Sequence, residues 1–125
     1  MPSFIIKQEP SDEDFYVVWS TVTDSPHYWG TRAELTAKLA HKPDAVKSDR
    51  FARADQTGTS VESGTPPYLS WDGQDFFIVN NAPFPLREGH VCTLPRERLN
   101  AYCRALETNN IAAAETLVDQ TPWED

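Results

Sequence analysis

Cysteine is nearly missing from this chain. Two thiols, Cys92 and Cys103, among 125 residues cannot form a disulfide framework, which excludes the stapled scaffolds of small secreted proteins and favours a reducing compartment. Also missing is any apolar run near the roughly 20 residues that a membrane-spanning helix requires. No internal repeat and no long linker divides the chain, so a single domain over residues 1–125 is expected. Basic residues are absent over two long stretches, from Ala54 to Leu86 and from Ala105 to Asp125. With 11 basic against 19 acidic residues the net charge is −8, and such a surface is repelled by phosphate backbones, so nucleic acid is not an expected partner. The opening "MPSFIIKQEPSDED" turns acidic too soon and holds too short an apolar run for a secretory signal. A cytoplasmic location without membrane contact is therefore expected.

What is present suits a folded globule: 39% hydrophobic and 24% charged residues, with four Trp, four Tyr and six Phe for a core. "SFIIK" (3–7) reads as an edge strand cut off by Pro10. "DFYVVWSTV" (14–22) is the strongest strand, because its aromatic and β-branched residues fit a buried pleated surface. "TDSPHYWG" (23–30) reads as a loop. Thr31 with Glu34 three residues on is a capping-box pair, so a helix starts there, carries Leu35 and Leu39 on one face, and stops before Pro43. A second short helix, "SDRFARAD" (48–55), has Ser48 as its cap, Phe51 and Ala54 inward, and Gly58 as its end.

The pair Asp72–Gly73 between apolar segments predicts a hairpin over 68–80. Pro83 and Pro85 keep 81–89 irregular, and "HVCTL" (90–94) offers one more strand. The spacing of Leu99, Tyr102, Cys103 and Leu106 predicts a helix within 93–107, and 109–120 continues as another until Thr121–Pro122 stops it. The expected fold class is α+β: a small antiparallel sheet of three to five strands, with three or four helices packed mainly on one face. The other face is then solvated or free for a partner.

Several groupings bear on chemistry. His90, Cys92 and Cys103 are zinc-ligand types, but Cys103 lies on an apolar helical stripe, where a thiol serves as a small hydrophobe. By type, His41 is the only fourth ligand available, so no metal and no cofactor are expected. Asp24, Ser25 and His27 are triad types crowded into one loop, whereas a working triad gathers its members from separate elements. "QTGTS" (56–60) lacks the lysine of a phosphate loop and reads as a helix end. Tyr28 and Trp29, just before the Thr31 cap, suit a hydrophobic staple onto Leu35 or, where exposed, a contact surface with Arg32 nearby. Trp71, with Asp72 beside it, is the other surface candidate.

The phrases "FYVVWSTVTDSP", "GTRAEL", "RFARADQTGTS", "SWDG", "TLPRERL" and "PWED" together resemble a group of small acidic proteins of actinobacteria and their bacteriophages. The likeness runs through most of the chain in the same order. The long insert "NNAPFPLREGH" and the aromatic "HYW" depart from that pattern. The resemblance implies a cytoplasmic accessory protein, of bacterial or phage origin, and brings no catalytic residue with it. The leading expectation is a non-enzymatic interaction module. It would contact another protein bearing a basic patch through Tyr28, Trp29, Arg32, Trp71 and Asp72. The alternatives are a small enzyme or ligand-binding domain with a pocket near His27 and His90, and a structural subunit of an assembly.

Overall fold

A computed structural model describes residues 3–73 and 75–123, so Glu124 and Asp125 of the acidic tail lie outside the described residues. The class is α+β, built from two antiparallel three-stranded sheets and four α-helices. In chain order the elements are β1 (Ser3–Ile6), β2 (Tyr16–Ser20), β3 (Ser25–Gly30), α1 (Arg32–Lys38), α2 (Ser48–Thr57), β4 (Phe76–Ile78), β5 (His90–Pro95), α3 (Leu99–Glu107), α4 (Ile111–Thr116) and β6 (Asp119–Pro122). The first sheet has the order β1-β2-β3 and the second β4-β5-β6.

All five residues of β2 are buried, because the strand lies between two cores. Tyr16 and Val18 point to one side and pack with Leu35 of α1, Leu39 just after it, and Phe51 and Ala54 of α2. Val17 and Trp19 point to the other and pack with Phe77, Leu94, Leu99 and Tyr102 of the second sheet and α3. Period-two alternation thus serves two apolar layers, which explains why the sequence here is a continuous apolar run. The rings meet edge to face at 5.0 Å for Tyr16 and Phe51, and tilted at 4.9 Å for Trp19 and Phe77.

Helix α1 begins as its sequence predicts. Thr31 Oγ1 accepts from the Glu34 amide at 3.1 Å, and Glu34 Oε1 accepts from the Thr31 amide at 2.9 Å. Helix α2 ends at Gly58, whose φ of +91° closes it. Its N-terminal flank is Lys47, and Ser48 is already its first residue with no side-chain cap.

Three expectations differ from what forms. The stretch 25–30, expected as a loop, is strand β3, paired with β2 through Val17–Trp29 and Val18–Tyr28. The register then slips, so that Trp19 opposes Pro26 and His27 is the extra residue of a β-bulge. Proline is tolerated there because β3 is an edge strand. Second, the 68–80 hairpin does not form. Gly73 does not take the positive φ of a type I′ turn, and its amide is held by Ser70 instead. Trp71 is drawn to the end of α2, its amide donating to the Thr57 carbonyl at 2.9 Å. Strand β4 pairs with β5, in the register Phe77–Leu94. Third, Thr121–Pro122 ends no helix but lies within β6, on the far side of β5. The faces of the two sheets also differ: both faces of the first are covered, while the outer face of the second meets solvent.

Candidate functional site

The residues named from sequence do not gather into one patch. Tyr28 and Trp29 are neighbours on β3, so their side chains leave on opposite faces. Tyr28 packs at the edge of the α1–α2 core and Trp29 at the edge of the other, and both are half-buried. Arg32 lies over the Phe51 ring at 4.9 Å. Trp71 is a brace, its indole N–H donating to the Lys7 carbonyl at 3.0 Å. Asp72 is exposed in the turn after it.

The two histidines line different depressions. His27, exposed by the bulge, borders an open groove of about 550 Å³ with Pro26, Trp29, Ala82, Leu106 and Ile111. His90 borders a depression of about 240 Å³ with Tyr68, Ile78, Val91 and Trp123. Thr23 Oγ1 lies 2.9 Å from His27 Nε2 and 2.8 Å from Ser25 Oγ. Asp24 turns away and accepts from Asn80 Nδ2 at 2.6 Å, so Asp24, Ser25 and His27 do not form a relay. Among the described residues no three His, Cys, Asp or Glu side chains stand together as metal ligands. Cys92 and Cys103 are both buried, and dehydration pushes both thiols up in pKa.

Two polar clusters, one buried and one partly buried, hold the fold. Arg96, 6% exposed, donates to five carbonyls. Its Nη1 reaches Leu69 at 2.6 Å and Ser70 at 3.1 Å, its Nη2 reaches Lys7 at 2.7 Å and Gly58 at 2.9 Å, and its Nε reaches Gln8 at 3.2 Å. The guanidinium also lies over the Phe77 ring at 5.3 Å. Dehydration pulls its pKa down to about 10, against the pull of Asp75, so it stays charged at neutral pH. In the second cluster, Asp55 Oδ1 accepts from Lys7 Nζ at 2.9 Å and from the Tyr16 hydroxyl at 2.7 Å. Burial first, then that carboxylate, drive the Tyr16 phenol well above its ordinary range.

The distinctive surface is the outer face of the second sheet. Alternation along β4 sends Phe77 inward and leaves Phe76 and Ile78 outside, 47% and 43% exposed. Across the ladder, Val91, Thr93 and Pro95 of β5 are partly exposed. Pairing of Val91 with Thr121 puts Thr121 on the same face and, by alternation, Trp123 two residues on. Trp123 is 67% exposed and Tyr68, across the depression, 54%. At the other end of the face Phe76 and Pro95 border a hollow of about 530 Å³ with Asp75, Glu97 and Asp119. The buried Arg96 also lines that hollow, and Arg98 lies 3.9 Å from Asp119. Sequence reading missed Phe76 and Ile78 because "FFIV" looks like a strand buried on both sides. The usable signal was the acidic stretch around it.

No helix among the described residues is long and apolar enough to cross a membrane. Comparison with protein-family models, curated proteins and solved structures found no match.

Proposed function

We propose that this chain is a non-enzymatic protein-interaction module whose contact surface is the outer face of the second sheet. The observation that carries the reading is the exposure of Phe76, Ile78, Tyr68 and Trp123 around one helix-free sheet face. Scattered apolar residues are normal on a protein surface, but a contiguous apolar face rimmed by charge is the anatomy of an interface. The rim carboxylates Asp75, Glu97 and Asp119 favour a partner with a basic patch. The setting we put forward, from the resemblance to small phage and actinobacterial proteins, is a phage or prophage modulator acting on a host protein in the cytoplasm. Tyr28, Trp29 and Arg32 are a secondary surface in this reading. Trp71 is structural.

The test is site-specific photo-crosslinking in an actinobacterial extract, with a benzophenone residue at position 78 or, as control, at the exposed Ala112 of α4. One product is expected from position 78, absent from position 112 and weaker at high salt. Identical products at both positions, or none from position 78, overturn the reading.

A further inference from the structure

Each sheet has two outer edges, and unpaired edges invite pairing with foreign strands unless they are blunted. Three of the four are blunted. Along β1, the Ser60 amide donates to the Ile5 carbonyl at 2.8 Å and the Lys7 amide to the Gly58 carbonyl at 3.0 Å, so residues 58–60 close it. Strand β3 carries Pro26 and the His27 bulge, and Lys38 Nζ covers the Trp29 carbonyl at 2.9 Å. Strand β6 carries Asp119 and ends on Pro122. Strand β4 has no proline, no charge and no bulge, and among the described residues no strand pairs with its outer edge over Phe76–Ile78; beyond it the Asn80 amide donates to the Asp24 carbonyl at 3.1 Å.

The ladder fixes which backbone groups that edge presents. The Val79 amide donates to the Cys92 carbonyl at 2.9 Å, and the Arg96 amide to the Asp75 carbonyl at 2.7 Å. Positions 75, 77 and 79 therefore bond toward β5, and the N–H and C=O of Phe76 and Ile78 point away from it. We propose that β4 accepts a strand from the partner, and that this strand is basic. The inference rests on the outer face being the contact surface and adds the mode and chemistry of binding. Main-chain bonds to Phe76 and Ile78 supply pairing, and the partner's alternate apolar side chains extend the apolar face beside Ile78 and Tyr68. Charge decides the occupant. A second copy would bring another chain of net −8, with its own Asp75, Glu97 and Asp119, against the same rim, whereas a lysine- or arginine-bearing strand neutralises it.

The probe is the capped peptide acetyl-Lys-Val-Lys-Val-Lys-Val-amide, titrated into the full chain and followed by amide shifts. The counterpart with Glu for Lys is expected to bind weaker by on the order of tenfold or more. Shifts are expected at Phe76, Ile78 and Val91. N-methylation of one alternate set of peptide nitrogens is expected to abolish binding, and of the other set to leave it unchanged, because a strand presents only every second N–H to its neighbour. If the peptide shifts the outer face but tolerates methylation of either set, the strand-addition proposal falls and the interface reading stands. No shift on β4, equal binding of the Glu peptide, or a dimer dispersed by Ile78→Lys also overturns the proposal. Crosslinking from position 78 judges the interface reading separately.

Discussion

Replacing Arg96 by Met keeps the bulk of the side chain and removes every donor. Five acceptors among the described residues belong to Lys7, Gln8, Gly58, Leu69 and Ser70, from three separate stretches of chain. Taking about 1 kcal/mol net of dehydration for each bond, since several bonds to one guanidinium do not add in full, the loss on substitution is about 4–5 kcal/mol. Set against a domain stability of about 5–15 kcal/mol, that leaves the variant marginal or unfolded at 37 °C. Arg96→Lys, with three donors on a compact ammonium, is expected to lose about half as much. Urea unfolding followed by tryptophan fluorescence reads this directly, with Trp71 bonded to the same Lys7 carbonyl as a local reporter. A loss below about 1 kcal/mol for Arg96→Met, at an unchanged denaturant slope, would refute the reasoning that this residue ties the strands and loop together.

Tyr102 is fully buried and its hydroxyl has no partner among the described residues, so Tyr102→Phe is expected to stabilise the chain by about 1 kcal/mol in the same urea assay. A destabilisation of that size would mean that the hydroxyl is bonded after all. Stability is also expected to fall as pH rises above 9, the ordinary value for a cysteine thiol, and more steeply above 10, that for tyrosine. Burial raises Cys103, Tyr102 and Tyr16 in the folded chain, so the unfolded chain loses those protons first, and each group removes up to about 1.4 kcal/mol per pH unit. Arg96, lowered to about 10, acts in the opposite sense between there and 12.5, but it is one group against four, Cys92 being raised as well. A urea midpoint that stays level between pH 8 and pH 10.5 would contradict this.

Strand β2, the capping box of α1, the Gly58 stop and the apolar stripe of α3 were all legible in the sequence, because each is a local pattern with a local cause. Strand β3 was not, because proline and glycine are loop signals unless an edge and a bulge absorb them. Strand β6 was hidden for a similar reason: its four residues are polar apart from Pro122, and only their pairing with β5 makes them a strand. The Asp72–Gly73 turn was overridden by tertiary pull, since Trp71 finds its partners on α2 and at Lys7. Arg96 could not be foreseen at all: within "TLPRERL" it resembles any exposed base in a first helical turn, and its acceptors lie as far as 89 residues away. The candidate surface was half legible. The sequence pointed to aromatic residues and acidic stretches, but Tyr28 and Trp29 leave their strand on opposite sides, and Phe76 and Ile78 are the residues exposed on the open face.

Strand β2 gives alternate side chains to two apolar clusters, so melting of either one is expected to disturb the other. Opening the α1–α2 side removes the support of Tyr16 and Val18, and with it the backbone that holds Val17 and Trp19 in place. A single cooperative transition is therefore expected, with the amides of Val17 and Val18 exchanging with solvent only through global unfolding. Any division of the chain into separately folding pieces has to break at a point other than β2.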